Sequence, residues 1–363
     1  MHSHKGNSGV NYMAFNKTGK EVAVGYQDGA LKLLNPENSG FEEIIVAGEG
    51  KQSAQVFTCF KWMNENRLLT TNSNGKVILF DTQSAQQVSQ FLENTDENQL
   101  FALDVCPRTG IFAVGGQAQT IHIYDNETMQ RTHQIVVQPS TTMVKDIIKQ
   151  GGIGGGLQVH IDDELIGHSN RIYSVKFDPN NPFVVYSGGW DSYILINDIR
   201  CKGDEKVGDI FGPLIGGDSI DIKGHMLSVG AYQSSHYLQV YDTRKLKECK
   251  LMHDISWGEA FGEQEVGYVT SSKFWNTKLD SVIVAGGARS KDVKLFSHNA
   301  DRRQGFKEIA HITGCGSGVL SLDTSHDGHV LAFGTVNGDV KFVHAGGFTA
   351  HDSDDESNKS DDE

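Results

Sequence analysis

Histidine, serine and aspartate lie close together in the sequence at His168, Ser187 and Asp191, and these residue types can act as catalysts or metal ligands. The chain nevertheless contains no G-x-S-x-G, H-E-x-x-H, phosphate-loop or calcium-loop motif. Other histidines show no metal-ligand spacing backed by a carboxylate or thiol; they are His2, His4, His253, His298, His311, His326, His329 and His344. The sequence therefore predicts a protein that is not an enzyme and that uses no metal or cofactor.

Composition narrows the class of protein further. The 363 residues carry a net charge of -14, and 41 glycines beside 38% hydrophobic residues suggest many short strands joined by tight turns. Without a basic patch or a run of about 18 apolar residues, neither nucleic-acid binding nor membrane insertion is expected. Five widely spaced cysteines without a C-x-x-C pair fit a reducing compartment. We expect a cytoplasmic protein, with nuclear or cytoskeletal association left open.

One unit recurs along the chain: an alternating strand, a turn with glycine or asparagine, and a second alternating strand that ends in a polar residue. The units end at residues 35, 81, 125, 198, 242, 297 and 344, so four of the six intervals are 44 to 47 residues long. The other two intervals, 73 and 55 residues, are one period plus an insertion. Because alternation with a period of two indicates β-strands, the chain is predicted to be an all-β repeat protein.

An innermost strand of the form apolar-x-x-apolar-x-aromatic precedes these two strands. It is clearest in Phe57–Trp62 and Ile172–Phe177. The strand that follows is rich in small residues, as in Val184-Val-Tyr-Ser-Gly188. Small residues suit strands that pack between neighbouring sheets.

The fourth unit resembles the WD-repeat family. It contains Gly167-His168, Ser187-Gly-Gly-Trp-Asp191 and Asn197-Asp198 in the order typical of that family. The resemblance implies a single β-propeller over residues 1–347, with seven blades of four antiparallel strands. It also implies that His168, Ser187 and Asp191 form a hydrogen-bonded structural network inside the blade.

The other six units depart from the family pattern, since none ends in Trp-Asp and only the first keeps the blade aspartate, at Asp28. The last blade is expected either to lack its outer strand or to be completed by a short strand from one terminus. Residues 348–363 are predicted to be a disordered acidic tail, because their charge and lack of apolar side chains cannot offset the entropy of ordering.

Ligand peptides of WD-repeat proteins often meet three repeat positions around the central channel. By resemblance, we predict a protein-binding face at the corresponding residues of blades two, three, four and six, which are Thr58, Phe101, Gln117, Arg171, Tyr173, Trp190, Tyr268, Thr270 and Arg289. Tryptophan, tyrosine and arginine are enriched at binding hot spots. The alternative for Trp190 is packing on a neighbouring blade.

Two consecutive blades end in Asp-x-Arg, at Asp198-Ile-Arg200 and Asp242-Thr-Arg244. This motif resembles the W-D-x-R signature by which WD-repeat substrate receptors dock on the adaptor of cullin-based ubiquitin ligases. The alternative is that each arginine caps a turn or pairs with a local carboxylate.

Two further segments attract attention. The insertion at about 138–165 contains Gly151-Gly-Ile-Gly-Gly-Gly156, which lacks the Gly-Lys-Ser/Thr of a phosphate loop and is interpreted as a flexible loop. In the tail, Ser353 and Ser360 are each followed by Asp-Asp-Glu, so both are candidate phosphorylation sites.

A repeat array without a catalytic constellation predicts a scaffold or adaptor that recruits partner proteins or peptides through the propeller rims. Two alternatives remain at this point. One is a substrate receptor of a cullin-based ubiquitin ligase. The other is a constitutive subunit of a large cytoskeletal, ciliary or trafficking assembly.

Overall fold

Short connections fold each repeat into one antiparallel sheet, because successive strands joined by tight turns pair with their neighbours in sequence. In the computed structural model of the chain, seven such sheets form a seven-bladed β-propeller around a central channel. The structure describes residues 2–37, 55–93, 98–136, 167–201, 205–257, 259–260, 263–264, 268–275, 281–289, 291–298 and 305–345.

The blades are numbered in chain order of their innermost strands, and only β1 (His2–Lys5) precedes blade one. The strands of blades one to three, with three described strands in blade one, are β2 (Val10–Phe15), β3 (Val22–Tyr26), β4 (Leu31–Leu34), β5 (Phe57–Trp62), β6 (Arg67–Asn72), β7 (Lys76–Asp81), β8 (Gln86–Leu92), β9 (Leu100–Val105), β10 (Ile111–Gly116), β11 (Ile121–Asp125) and β12 (Arg131–Ile135).

Blades four and five follow the same order and are joined by a short connection. Their strands are β13 (Ile172–Phe177), β14 (Val184–Gly189), β15 (Tyr193–Asp198), β16 (Lys206–Phe211), β17 (Ile220–Lys223), β18 (Met226–Gly230), β19 (Leu238–Asp242) and β20 (Lys250–Ile255). A 3-10 helix, Leu246–Glu248, lies between the last two of them.

A two-stranded hairpin, β21 (Glu259–Ala260) and β22 (Glu263–Gln264), separates blades five and six in the chain. The strands of blades six and seven are β23 (Val269–Trp275), β24 (Val282–Gly287), β25 (Val293–His298), β26 (Phe306–Ile312), β27 (Val319–Thr324), β28 (Val330–Thr335) and β29 (Asp339–His344). The seven-bladed fold predicted from the repeat is therefore confirmed.

The N-terminal strand closes the ring. Strand β1 pairs antiparallel with β29, so that His2 lies opposite Phe342 and Lys5 lies opposite Asp339. Just beyond the strand, the Gly6 amide donates a hydrogen bond of 2.8 Å to the carbonyl of Gly338. Of the two expectations for the last blade, completion by a terminal strand is the one observed.

Small residues in the second strand of each blade let the next blade approach closely. A Cβ atom added to Gly25 would lie 2.4 Å from the ring of Phe60, and one added to Gly334 would lie 2.3 Å from the side chain of Val10. Phe60 and Val10 are both fully buried between blades. The hydrophobic core is thus a series of blade-to-blade contacts rather than one central cluster.

A β-bulge near the start of the innermost strand explains the apolar-x-x-apolar-x-aromatic pattern. In β13, Ile172 pairs with Gly189 and Ser174 pairs with Gly188, which leaves Tyr173 without a partner in the ladder. The extra residue breaks the two-residue alternation and redirects side chains. The second and fifth residues of the strand therefore both face the channel, although in a regular strand they would lie on opposite faces.

Candidate functional site

In each of the seven blades, the residue at the second position of the innermost-strand pattern lines one end of the channel. These residues surround a cavity of about 420 Å³, here called the upper cavity, and are Asn11, Thr58, Phe101, Tyr173, Asp218, Thr270 and Leu320. Six of them are the residues that the bulges leave unpaired. The rim around this cavity, called the upper rim, also carries the turns between the second and third strands of the blades.

Three aromatic rings lead outward from the upper cavity. Phe101 stacks on Tyr173 with ring centroids 4.8 Å apart, and Tyr173 lies 5.4 Å from Trp190. Phe101 and Tyr173 line the cavity, whereas the side chain of Trp190 is 43% exposed. This set, called the aromatic row, joins blades three and four and offers a large aromatic surface next to a cavity.

A close backbone contact holds Trp190 in place. The Trp190 amide donates a hydrogen bond of 3.1 Å to the carbonyl of Arg171. A Cβ atom on Gly189 would lie 2.0 Å from that carbonyl oxygen, so only glycine fits before Trp190. Arg171 forms no ion pair with any residue that the structure describes. Its guanidinium is available to an acidic group beside the aromatic row.

Some of the other predicted rim residues form a second aromatic group, and others are engaged in hydrogen bonds within the fold. The Arg289 guanidinium lies 5.2 Å from the centroid of the Tyr268 ring, which also contacts Tyr232 at 5.1 Å. Thr270 lines the cavity but is buried, and its hydroxyl donates to the carbonyl of Val319 at 2.6 Å and lies 3.3 Å from that of Gly286. The Thr58 hydroxyl bonds that of Thr71, and Gln117 lies outside the cavity lining. Thr58 and Thr270 thus share the upper cavity with the aromatic row, whereas Tyr268, Arg289 and Gln117 lie outside its lining.

In each blade, the residue at the fifth position of the innermost-strand pattern lines the opposite end of the channel. This lower cavity has a volume of about 270 Å³, and its ring of fifth positions consists of Ala14, Lys61, Asp104, Lys176, Asp221, Lys273 and Asp323. Sequence reasoning missed these charged residues. The signal was present in the variable fifth position of the innermost-strand pattern, where the charges alternate from blade to blade.

Asp218 connects the blades between the two cavities. Its carboxylate accepts hydrogen bonds from the Nζ atoms of Lys273 at 2.6 Å and Lys61 at 3.2 Å, and from the hydroxyl of Tyr12. The hydroxyl of Ser174 lies 3.4 Å from its second oxygen. Four other blades thus contact one carboxylate of blade five.

The charges in the channel shift one another's titration. Burial alone would raise the pKa of Asp218, but Lys273, Lys61 and Lys176 hold that pKa well below its usual range. Burial alone would lower the pKa of Lys61, but Asp218 and Asp104, together with the other groups around it, raise it. Burial and the Asp218 charge together raise the pKa of Tyr12. These groups therefore form a charge-matched cluster rather than a proton donor and acceptor poised near neutral pH.

His168 joins Ser187 and Asp191 inside blade four. Its Nδ1 lies 2.7 Å from the Asp191 carboxylate and its Nε2 lies 2.8 Å from the Ser187 hydroxyl. Because the carboxylate only accepts, Nδ1–H donates to Asp191 and Nε2 accepts from Ser187 in the neutral ring. Burial opposes ionisation of Asp191, but the interaction with His168 and the bonds from the Tyr193 and Ser169 amides together keep its pKa below the usual value.

A hydrolytic triad links serine, histidine and aspartate in the same order. Here, however, the three side chains are buried. Ser187 is completely buried and His168 is 2% exposed, so no substrate reaches the serine hydroxyl in this conformation. The Asp191 carboxylate also accepts a bond from the Ser169 amide, which ties the start of the blade to the turn after Trp190. This geometry suits a network that fixes the shape of the turn.

The two Asp-x-Arg motifs lie on the lower rim, where β15 and β19 end. Arg200 donates to both carboxylate oxygens of Asp198, through Nε at 2.9 Å and Nη2 at 2.6 Å, and Arg244 bonds Asp242 in the same way. The bond from Arg244 lowers the pKa of Asp242 to about 2. The arginine side chains are nevertheless 56% and 68% exposed. Each guanidinium is held in a fixed orientation with one face open to solvent.

The insertion at about 138–165 and the tail with Ser353 and Ser360 lie outside the described residues. Within the part of the chain that is described, no helix is long and apolar enough to cross a membrane. The same residues contain no group of three or more histidine, cysteine or acidic side chains that could hold a metal ion.

Comparison with known proteins gives a family match to one repeat and a structural match over almost the whole chain. Residues 160–198 match the family described as "WD domain, G-beta repeat". No curated protein sequence matches the chain. A chain in "Crystal Structure of Mitotic Checkpoint Complex" superposes with a TM-score of 0.70 at 13% identity, covering 94% of this chain and 93% of that chain. At this identity the structural match concerns the fold alone.

Proposed function

We propose that this chain, a WD40-repeat β-propeller, is a non-catalytic platform that recruits a partner protein or peptide through its upper rim. The observation that carries the proposal is the aromatic row, which runs from the upper cavity to the exposed ring of Trp190. Large aromatic side chains beside a cavity are the usual anchors of protein interfaces. Five free cysteines support a cytoplasmic location as part of the same proposal.

The ligand group follows from the chemistry of this surface. An aromatic or basic side chain of the partner would pack against Tyr173 and Trp190, since aromatic faces attract both rings and cations. An acidic group of the partner would pair with Arg171, which forms no ion pair with a described residue. A segment with these two groups close together is the partner that the surface fits.

The test compares Trp190→Ala and Tyr173→Ala with Phe211→Ala by affinity purification from cells and mass spectrometry. Phe211 is a matched control, because it is 71% exposed in the same blade but lies on the outer strand. Loss of a central anchor typically costs about 2 kcal/mol or more, so the first two variants should lose at least one partner. Unchanged partners in both variants, with wild-type folding, would show that the aromatic row is the wrong surface.

A substrate receptor of a cullin-based ubiquitin ligase is the second candidate. It is favoured by two exposed arginines on the lower rim, one in each of two adjacent blades, and each is held in a fixed orientation by its neighbouring aspartate. The adaptor of the ligase should then copurify with the wild-type chain and be lost from an Arg200→Ala, Arg244→Ala double variant. Arg67→Ala is the control, since Arg67 also pairs with a carboxylate on the lower rim, at 3.5 Å from Asp81. Absence of the adaptor from wild-type purifications would remove this candidate.

A constitutive role in a larger assembly is distinguished from both by size. As such a subunit, the protein should elute from a native lysate far above the mass of a monomer. Elution at the monomer mass would exclude the constitutive subunit and leave the recruiting platform and the ligase receptor as candidate functions.

A further inference from the structure

The ring of fifth positions around the lower cavity alternates in charge with a single interruption. From blade two to blade seven, lysine and aspartate succeed one another, and blade one contributes Ala14 between Asp323 and Lys61. Lys176 and Lys273 each lie between two carboxylates of the ring, whereas Lys61 lies between Ala14 and Asp104. The short side chain of Ala14 leaves a gap between Asp323 and Lys61.

The three lysines of the ring are already engaged. Lys61 and Lys273 bind Asp218, at 3.2 and 2.6 Å, and the Nζ atom of Lys176 lies 3.0 Å from Asp221. None of these three ammonium groups lies within 4.0 Å of the carboxylate of blade seven.

Asp323 is the carboxylate that faces the gap without a cation. No lysine, arginine or histidine nitrogen of the described residues lies within 4.0 Å of it, and the Phe15 amide donates to it at 2.8 Å. Burial raises the pKa of Asp323, and Lys273 offsets only part of that effect. Lys17 and His326 also line the cavity, and both residues are exposed.

We propose that the lower cavity binds one alkylammonium group, which occupies the gap beside Ala14 and pairs with Asp323. The lysines of blades two, four and six show that a four-carbon chain ending in an ammonium fits this position of the repeat. Trp62 and Phe15 line the same cavity and provide apolar surface for the carbon chain. The group comes from a lysine side chain of a partner protein or from a free amine.

The first experiment measures binding of n-butylammonium, a free analogue of the lysine side chain, to the full chain by ligand-observed NMR at constant ionic strength. The wild type should bind it, and n-butanol should not compete, because the alcohol lacks the charge. Asp323→Asn should weaken binding at least about tenfold, as expected when a hydrogen bond to a charged partner is lost. Asp28→Asn removes the same charge from an exposed turn of the upper rim and should leave binding unchanged.

A second variant, Ala14→Lys, fills the gap from within the chain and should abolish binding. Circular dichroism of each variant verifies folding, and Asp323→Asn decides the question if Ala14→Lys does not fold. Absence of n-butylammonium binding to the wild type, or equal binding to wild type and Asp323→Asn, would overturn the proposal.

A peptide identifies the source of the ammonium group. The pentapeptide Gly-Gly-Lys-Gly-Gly, acetylated at its N-terminus, is compared with n-butylammonium and with the same peptide also acetylated on the lysine. Tighter binding of the peptide by about tenfold, abolished by acetylation, indicates a partner protein. Equal or weaker binding of the peptide indicates a free amine, and binding that survives acetylation would contradict the proposal.

Discussion

Asp218 shows how one residue can stabilise a ring of repeats. Its carboxylate is buried, and the lysines of blades two and six both bind it. Removing one partner of a buried ion pair leaves the other charge without compensation, which costs more than the pair itself contributes. Asp323 has the same chemistry and the same channel, but no lysine within 4.0 Å among the described residues. The two aspartates should therefore differ sharply in their contribution to stability.

We expect Asp218→Asn to lower the free energy of unfolding by about 3–5 kcal/mol at pH 7, because Lys61 and Lys273 would lose their shared carboxylate. Asp323→Asn should change it by less than about 1 kcal/mol, since burial already disfavours the charge there. Urea unfolding of both variants measures the difference. Equal destabilisation by the two substitutions would contradict the assignment of Asp218 as the link between blades.

At the scale of the element, blade four combines a fixed turn with an exposed ring. The bonds of His168 to Ser187 and Asp191 lie directly beneath Trp190, and the carboxylate of Asp191 also accepts from the Tyr193 amide after the turn. Other blades fix the same turn differently. In blade two, the Asn72 side chain accepts from the amides of Asn74 and Lys76. The histidine network is therefore one of several local solutions to the same structural problem.

His168→Ala should destabilise the fold by about 2 kcal/mol or more, because it leaves the buried Ser187 and Asp191 side chains without their partner. Partner binding by the folded fraction should fall only as far as the Trp190 turn becomes mobile. Thermal unfolding and binding well below the melting temperature separate the two effects. A variant of wild-type stability that has lost all binding would instead assign His168 to the interface.

The innermost strand shows what sequence could and could not predict. The apolar-x-x-apolar-x-aromatic pattern identified β5 and β13 because buried positions repeat regularly. The pattern cannot show that a bulge turns both variable positions toward the channel, since pairing registers depend on the neighbouring strand. Asp218 was missed for a related reason: it follows Gly216 and Gly217 in a blade whose innermost strand begins only at Ile220. The cavities are tertiary features, formed by residues from blades that are far apart in sequence.

At the scale of the whole molecule, closure depends on residues from both ends of the chain. Strand β1 forms the outer strand of the sheet whose other three strands are the last in the sequence. Contacts between distant parts of the chain are formed late and at an entropic cost, so the closing strand is a vulnerable element of the ring.

Deletion of residues 1–5 should lower the free energy of unfolding by about 2 kcal/mol or more, since it removes the backbone hydrogen bonds between β1 and β29. Deletion of the predicted disordered tail, 348–363, is the control and should leave the melting temperature unchanged. Differential scanning calorimetry compares the two truncations. An unchanged melting temperature after loss of β1 would mean that the ring is stable without its closing strand.

Site-specific photo-crosslinking tests the proposed binding surface most directly. A benzoylphenylalanine at position 190 and, separately, at position 211 places the same reactive group on the upper rim and on the outer strand of one blade. Illumination in cells should crosslink a partner at position 190 and not at position 211. Crosslinks to the same proteins at both positions, or none at position 190, would contradict recruitment through the aromatic row.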